Sequence, residues 1–410
     1  MRNRLHERHA AVAVGLLALA AGLLVHPLCA QAQDAGALRA FLDKLWPVAQ
    51  TRGISRPVFD RATADLVPDP EVLQLAGSQP EQVKPPGVYL TDLVTPERIA
   101  AGRRKLAEHA DLLAAIEAAY GVDRHILLAV WGIESYYGTL KGTRAIVRSL
   151  ATLAIADARR ANFWRSELLA ALRILQDGVA APSGLIGSWA GATGHTQFMP
   201  STYVAHAVDF DKDGRRDIWE TVADALASTA NVLRASGWAA GVPWGFEVTL
   251  PAGFDYAWSA PGRARTWEQW QAADVRGTGG RAASDQPLAL RLPAGARGPA
   301  FLVSGNFRVL LRYNNATPYA LAVGHLADRI AGGAPLAAPW PSPDQALGRS
   351  EREELQRLLM ARGLDTGGLD GIIGDQTRAA IRATQRALAL AEDGHPSAEL
   401  LQRLRGAAAP

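Results

Sequence analysis

Glu134 is the carboxyl of this sequence best suited to acid–base chemistry, because it borders the apolar face of a predicted helix. The segment GVDRHILLAVWGIESYYG repeats apolar residues at spacings of three and four, which is typical of an α-helix. A carboxyl held against apolar and aromatic side chains is costly to ionise, so its pKa rises. A carboxyl that stays protonated near neutral pH can act as a general acid. From the spacing alone, a helix-end glutamate that points to water is the favoured interpretation.

A second set of carboxylates has the spacing of a calcium-binding loop. The segment DFDKDGRRDIWE carries carboxylates at positions 1, 3, 5, 9 and 12 and a glycine at position 6, as in an EF-hand loop. The predicted ligands are the side chains of Asp209, Asp211, Asp213, Asp217 and Glu220 and the backbone carbonyl of Arg215. A single loop favours a structural ion, whereas paired loops are typical of calcium sensors. The alternative is an acidic surface turn in which Asp213-Gly214 makes the bend.

Two further segments have residue types suited to binding a sugar. In GSWAGATGHTQFMPSTY, glycines allow close backbone approach, Ser188 can hydrogen-bond a carboxyl, and Gln197 can both donate and accept hydrogen bonds. In YNNATPY, Tyr313, Asn314 and Tyr319 combine aromatic faces with an amide. Each segment alone fits a connecting loop or an ordinary core equally well.

Several other chemistries find no motif here. The sequence has no HExxH zinc motif, no GxSxG nucleophile motif and no phosphate or dinucleotide fingerprint. Nine histidines show no ligand cluster, and His195 and His206 are predicted to lie on the surface or in polar networks. The single cysteine, Cys29, lies in the N-terminal segment, so a cysteine-ligated metal is excluded once that segment is removed. We expect no organic cofactor.

The surrounding pattern predicts a mainly α-helical protein. Residues 36–240 repeat apolar positions at helical spacing, with Asp123 and Ser228 as candidate helix starts. Short β-prone runs, including PAFLVSGNFRVLLRY, predict a β-rich insertion over about 244–311, after which a helix resumes at Thr317. A Pro-, Gly- and Ala-rich linker over 332–349 then separates a small helical module at 350–406.

The N-terminus has the features of an export signal. Arginines precede the apolar run Ala11–Val25, and Ala30-Gln31-Ala32 offers a cleavage site, so residues 1–32 are predicted to be a signal peptide. An uncleaved anchor is the alternative, but we expect no stable membrane span after cleavage. Pro27-Leu28 precede Cys29 without the small residue that lipoprotein processing needs, which disfavours a lipid anchor there. We therefore expect a periplasmic protein.

Size and charge narrow the class further. The 410 residues are enough for two or three domains, and 48% hydrophobic with 20% charged residues is ordinary for a globular protein. The net charge is only +3, without a basic run interleaved with aromatics, so nucleic acid is not an expected partner.

Taken in order along the chain, these segments resemble the B-type lytic murein transglycosylases. The similar segments are SQPEQ (Ser78–Gln82), VWGIESYYG, SLATLA, GSWAGATGHTQFMPS, DFDKDGRRDIW, ASTANVL and RYNNATPYALAVGHLA. The tail, with GLDTGGLDGIIGDQTRAAI, is similar to a three-helix peptidoglycan-binding module.

The resemblance implies a lysozyme-like helical catalytic domain with a small β subdomain. It also implies cleavage of the β-1,4 bond between N-acetylmuramic acid and N-acetylglucosamine, with 1,6-anhydromuramic acid ends. The family's catalytic glutamate falls on Glu134 and its glutamate-orienting serine on Ser188. Its substrate-binding residues fall on Gln197, Tyr313, Asn314 and Tyr319 and, by spacing only, on Tyr89.

The chain departs from the family pattern at a few positions. Thr193-Gly194-His195 replaces the usual Met-Gly-Gln, Val232 replaces a tyrosine, and Thr384 replaces an aromatic residue of the tail. Two alternative functions stay open: a muramidase that uses water, and a non-catalytic wall-binding protein that would not need Glu134.

Overall fold

In the computed structural model, the described residues are 26–77, 84–279, 285–342 and 346–406. Residues 1–25, which form most of the predicted signal peptide, and the SQPEQ segment lie outside these ranges. Within them, no helix combines the length and the apolar character needed to cross a membrane.

Helices dominate the described chain. Numbered in chain order, they are α1 (His26–Thr51), α2 (Arg56–Thr63), α3 (Pro70–Gly77), α4 (Pro86–Leu93), α5 (Pro96–Glu108), α6 (Ala110–Tyr120), α7 (Arg124–Ser135), α8 (Ile146–Ala156), α9 (Ala161–Gln176), α10 (Pro200–His206), α11 (Val222–Ala235), α12 (Trp267–Ala272), α13 (Gly305–Tyr313), α14 (Thr317–Ile330), α15 (Arg349–Met360), α16 (Asp375–Ala387) and α17 (Ala398–Gly406). This confirms the predicted mainly α-helical class.

Two large hydrophobic cores of the described chain meet at Tyr313, which packs against both. One surrounds α7, whose residues Ile126 to Gly132 are all buried, and is completed by α4, α5, α6, α11, α13 and α14. The other joins α1, α2 and α3 to α8, α9 and α10. Helix α7 is therefore buried on nearly every side, and such a central helix can hold a side chain at its end in a fixed place.

Within the described parts of the chain, the strands form two small antiparallel sheets. Strands β1 (Arg144–Ala145) and β2 (Ile186–Gly187) pair, with Arg144 opposite Gly187. Strands β3 (Gly245–Thr249), β4 (Arg276–Gly277), β5 (Ala289–Arg291) and β6 (Ala300–Val303) form a sheet in the order β4-β3-β6-β5, with its own apolar core. This four-stranded sheet is the predicted β subdomain.

Two local predictions were wrong. The β-prone run was predicted to continue to Tyr313, but the strand ends at Val303 and α13 follows. The Ser304 hydroxyl accepts a hydrogen bond from the Asn306 amide at 3.1 Å, and this N-cap starts the helix. Ser228 is not a helix start either, because α11 begins after Thr221, and the Ser228 hydroxyl instead accepts a hydrogen bond from the Val208 amide at 3.0 Å.

The described part of the linker packs against the four-stranded sheet. The buried Glu247 carboxylate on β3 accepts hydrogen bonds from the amides of Ala337 and Ala338, both at 2.8 Å. The Trp340 ring stacks near Phe301, with centroids 6.5 Å apart. Ala337, Ala338 and Trp340 of the predicted linker therefore lie against the β subdomain.

The tail has a core of its own and docks on the catalytic domain. Helices α15, α16 and α17 enclose Leu355, Leu359, Ile381 and Leu400. The Asp393 carboxylate accepts a hydrogen bond from the Ala296 amide at 2.7 Å, and Arg297 pairs with Glu399. These contacts give the tail a defined place beside the β subdomain.

Candidate active site

The candidate acid lies at the very end of the central helix. Helix α7 begins after Asp123, whose carboxylate accepts a hydrogen bond from the His125 amide at 2.7 Å, as the sequence predicts for its N-cap. Glu134 is the second-last residue of α7, and the chain then turns through Tyr136 and Tyr137, both with positive φ (50° and 58°). Left-handed backbone is unusual for tyrosine and marks a tightly constrained turn. The acid is thus fixed between a buried helix and a rigid turn.

The surroundings of Glu134 keep its carboxyl protonated to unusually high pH. Burial raises its pKa from 4.5 to about 7, and a hydrogen bond from Tyr319 opposes that rise. The Tyr319 hydroxyl donates to Glu134 Oε1 at 2.6 Å. Burial favours the neutral acid, while the tyrosine bond stabilises the carboxylate, so both protonation states are accessible near neutral pH.

Two stacked tyrosines form the wall next to the acid. The rings of Tyr313 and Tyr319 are nearly parallel, at 5°, with centroids 6.4 Å apart. The Tyr313 hydroxyl donates to the Thr196 carbonyl at 2.7 Å, which joins α13 to the Gly-rich loop. Burial raises the pKa of both tyrosines well above the usual value, so both are neutral hydrogen-bond donors.

A cavity of about 310 Å³ opens at Glu134, and three of the six predicted sugar-binding residues line it. Its lining is Lys84, Tyr89, Asp92, Leu93, Ile133, Glu134, Asn314 and Tyr319. Burial, and then the charge of Glu134, raise the pKa of Tyr89. The cavity therefore brings Tyr89, Asn314 and Tyr319 together around Glu134.

Two charged residues of this cavity, Lys84 and Asp92, were not predicted from the sequence. They form an ion pair of 2.8 Å at the rim, and both side chains are largely exposed. Asp92 lies three residues after Tyr89 on α4, and that helical spacing was the available signal. The Asp92 carboxylate is therefore engaged by Lys84 at the rim of the cavity.

The Gly-rich loop holds Ser188 and Gln197 through its own backbone contacts, and neither residue lines the cavity at Glu134. The Ser188 hydroxyl accepts a hydrogen bond from the Ala192 amide at 3.0 Å, and no hydrogen bond joins it to Glu134 among the described residues. Gln197 has a positive φ of 52°, and its amide group donates to the carbonyls of Lys141 and Gly194. The Gln197 side-chain oxygen is the atom left to accept a hydrogen bond from a ligand.

The acidic loop gathers three of its six predicted ligands. Carboxylate oxygens of Asp209, Asp211 and Asp213 all lie within 4.8 Å of one another. Asp209 Oδ1 is buried and has no hydrogen-bond partner among the described residues, which is costly unless a cation or another donor compensates it. This orphaned oxygen among carboxylates fits the oxygen-only ligand set of calcium.

Two of the other three predicted ligands, Glu220 and Asp217, have partners within the protein. Glu220 is exposed and pairs with Lys141 at 3.1 Å. The Asp217 carboxylate accepts hydrogen bonds from the amides of Trp219 and Glu220, both at 2.9 Å. The Arg215 guanidinium lies 3.6 Å from the same carboxylate.

Asp224, which was not predicted as a site residue from the sequence, also holds the acidic loop in place. Its buried carboxylate accepts hydrogen bonds from the amides of Phe210 and Asp217, at 2.7 and 2.8 Å. Asp224 thus closes the loop onto α11. An acidic residue in the first turn of a helix was the only sequence signal.

The four residues that differ from the family pattern, Thr193, His195, Val232 and Thr384, are all buried. Thr193 and His195 are buried and hydrogen-bonded to Trp219 and Trp131, respectively. Val232 belongs to a hydrophobic core. Thr384 is buried within α16, where its hydroxyl donates to the Ala380 carbonyl. None of the four therefore offers a side chain to a ligand at the surface.

Comparison with known families assigns both parts of the chain. Residues 37–328 match the transglycosylase SLT domain, and residues 348–404 match a peptidoglycan binding domain. The chain is 32% identical to membrane-bound lytic murein transglycosylase B of Escherichia coli K12 over 305 residues, which is 71% of this chain and 81% of that protein.

Solved structures agree with this assignment. The chain is similar to SltB3 from Pseudomonas aeruginosa in complex with NAG-anhNAM-pentapeptide, with a TM-score of 0.86 and 50% identity over 90% of this chain and 99% of SltB3. It is also similar to the Escherichia coli lytic transglycosylase Slt35 in complex with calcium, with a TM-score of 0.60 and 29% identity over 72% of this chain and 92% of Slt35. The chain therefore belongs to the transglycosylase SLT domain family, and it is a lytic transglycosylase with an appended peptidoglycan-binding domain.

Proposed function

We propose that Glu134 is the sole acid and base in cleavage of the β-1,4 bond between N-acetylmuramic acid and N-acetylglucosamine. The observation that carries the proposal is the partly buried carboxyl with a pKa of about 7, bonded to Tyr319 and open to a cavity. A group with that pKa is about half protonated at neutral pH. It can therefore give a proton and later take one back.

The reaction needs two proton transfers at the same carboxyl. Glu134 first donates its proton to the glycosidic oxygen as the bond between that oxygen and C1 breaks. The Glu134 carboxylate then takes the proton of the muramic acid C6 hydroxyl as O6 attacks C1. The product is a 1,6-anhydro sugar, and Glu134 is protonated again.

An intramolecular attack removes the need for a second carboxylate. Glycosidases that use water or a covalent intermediate place two carboxyls across the bond. Here the C6 hydroxyl belongs to the sugar that is attacked, so its effective concentration is high without a group to activate water. The bond from Tyr319 stabilises the carboxylate that exists between the two steps.

The remaining predicted residues hold the glycan strand. Tyr89, Asn314 and Tyr319 line the cavity next to Glu134, and they offer hydroxyl, amide and aromatic contacts to a sugar. Gln197 keeps a side-chain oxygen for an acetamido or hydroxyl donor. Ser188 orients Glu134 once substrate is bound, through the proton that its hydroxyl can donate.

We propose a structural calcium ion in the acidic loop, held by Asp209, Asp211 and Asp213 and completed by Asp217, Glu220 and the Arg215 carbonyl. The convergent carboxylates and the orphaned Asp209 oxygen support it. The ion would neutralise the repulsion between the three carboxylates and stabilise the loop. It takes no part in bond cleavage.

We further propose that the protein acts on the periplasmic wall after export, and that the tail binds peptidoglycan glycan strands. The support is the export-type N-terminal sequence and the peptidoglycan binding domain at residues 348–404.

A hydrolytic muramidase is the second candidate, because Asp92 also lines the cavity. In that reaction Asp92 would supply the second carboxylate. Its exposure and its ion pair with Lys84 argue against this role, since a solvated, paired carboxylate at a rim is poorly placed to bind a nucleophilic water.

Glu134→Gln tests the assignment. This variant keeps the shape and the bond from Tyr319 but has no transferable proton, so turnover of purified peptidoglycan should fall by about a hundredfold or more. Glu108→Gln, at an exposed position of α5, is the matched control and should keep full activity. A folded Glu134→Gln protein with near-normal turnover would overturn the proposal.

A further inference from the structure

His195 lies in the Gly-rich loop but faces the helix that carries Glu134. It is only 8% exposed. The Trp131 Nε1–H donates to His195 Nδ1 at 3.0 Å, and the two rings meet edge to face with centroids 5.6 Å apart. Of the two roles predicted for this residue, surface or polar network, the structure supports the network.

A second contact joins His195 to the same turn of α7. The Ser135 hydroxyl donates to the His195 carbonyl at 2.5 Å and accepts a hydrogen bond from the Gly138 amide at 2.9 Å. Trp131 and Ser135 are four residues apart and therefore share one helix face, and they bracket Glu134 in the sequence. His195 is therefore hydrogen-bonded to two residues of the last turn of α7, one before and one after Glu134 in the sequence.

The other contacts of His195 fix its own position. Its amide donates to the Ile218 carbonyl at the end of the acidic loop, at 3.0 Å. Its ring occupies the space in front of Gly138, where a Cβ atom would lie 2.4 Å from the ring. The ring is therefore wedged between α7, the turn that follows it and the acidic loop.

We propose that His195 is a positioning residue for Glu134, acting through the Trp131 and Ser135 hydrogen bonds that hold the last turn of α7. The inference rests on the proposed role of Glu134 as the acid. Without these bonds the end of α7 can shift, and the carboxyl would no longer meet both Tyr319 and the scissile oxygen. A misplacement of this kind lowers the rate of the chemical step more than it weakens substrate binding.

The contact also fixes the protonation state of the imidazole. Nδ1 accepts a hydrogen bond, so the ring proton lies on Nε2. Burial and, after it, the charge of Lys141 lower the pKa of His195 to about 4. The charges of Glu220 and Asp217 oppose this shift, and the charge of Lys105 adds to it. Protonation of Nδ1 at acid pH would replace the acceptor with a donor and break the bond from Trp131.

The test compares His195→Ala with His195→Gln in the full chain, on soluble glycan fragments. His195→Ala should lower kcat by about ten- to a hundredfold while KM changes little. His195→Gln offers a side-chain oxygen as acceptor and should recover most of kcat. Wild type is expected to lose activity as the pH falls towards 4, and His195→Gln should not show the part of this loss that comes from protonation of His195. His325→Gln is the matched control, because His325 is another histidine with a pKa lowered to about 4 and has no hydrogen bond to α7 among the described residues.

Two further measurements decide the question if His195→Ala does not fold. Trp131→Phe removes the donor from the opposite side and should lower kcat in the same way, and ¹⁵N NMR should show the His195 proton on Nε2. Wild-type kcat in folded His195→Ala, or in Trp131→Phe, would overturn the proposal, as would a proton on Nδ1. An active Glu134→Gln protein would instead refute the role of the acid itself, so the two failures are distinguishable.

Discussion

Replacing Tyr319 by Phe should move the pH dependence of the enzyme in a known direction. The hydroxyl donates a 2.6 Å hydrogen bond to Glu134 Oε1, and this bond lowers the Glu134 pKa against the effect of burial. Phenylalanine keeps the ring and its stacking on Tyr313 but removes the donor. The carboxylate then loses its partner, and the pKa of Glu134 should rise above about 7.

The size of the rise follows from the strength of the bond. A buried hydrogen bond to a charged group contributes about 1.5–3 kcal/mol, and each pKa unit corresponds to about 1.4 kcal/mol. The pKa of Glu134 should therefore rise by about one to two units. The acid form is lost as the pH rises through this pKa, so the alkaline limb of kcat/KM should move to higher pH by the same amount.

The assay is the pH profile of kcat/KM on soluble glycan fragments, which reports the pKa of the free enzyme. The maximal rate should also fall, because the carboxylate formed after the first proton transfer loses its hydrogen bond. Tyr313→Phe is the matched control, since its hydroxyl donates to the Thr196 carbonyl and not to Glu134. An alkaline limb that stays in place for Tyr319→Phe, or moves to lower pH, would refute the reasoning.

Three other outcomes follow from the same structure. A calcium chelator should lower the melting temperature of the wild type, because an ion that binds only the folded state stabilises it by mass action. A melting temperature that is the same with and without calcium, or an equal response to chelator in Asp211→Ala/Asp213→Ala, would contradict the calcium site. Asp92→Asn should keep turnover within about threefold of wild type, since the charge of Asp92 is not needed for an intramolecular attack, whereas a loss of about a hundredfold would favour the muramidase. A chain ending after Ser342 keeps the hydrogen bonds from Ala337 and Ala338 to Glu247 and the contact of Trp340 with Phe301. It should therefore cleave soluble fragments like the full chain but sediment less with intact sacculi. Equal sedimentation of the two proteins would show that the tail does not bind the wall.

Local signals predicted the parts of the site that depend on one element. The spacing around Glu134 predicted α7 and a carboxyl beside its apolar face, and Asp123 was identified as the N-cap. The 1-3-5 spacing of the acidic loop predicted that Asp209, Asp211 and Asp213 converge. These features succeed because helix periodicity and loop geometry are set within a few residues.

The features that the sequence did not reveal depend on contacts between distant segments. Asp92 reaches the cavity only because α4 packs next to α14, and His195 meets Trp131 across 64 positions of the chain. The packed linker likewise depends on Glu247, which lies 90 residues before Ala337. Ser228 and the FRVLLRY run were misassigned because tertiary context and a cap outweighed local propensity.

The most direct test of the central claim, that Glu134 alone drives an intramolecular attack, is mass spectrometry of the products formed from purified peptidoglycan in ¹⁸O-labelled water. The proposed mechanism predicts anhydromuramic acid ends that are lighter by one water than hydrolysed ends and carry no ¹⁸O, and it predicts that Glu134→Gln forms almost none of them. Reducing muramic acid ends labelled with ¹⁸O at C1 would contradict the claim, because they would show that water attacked C1.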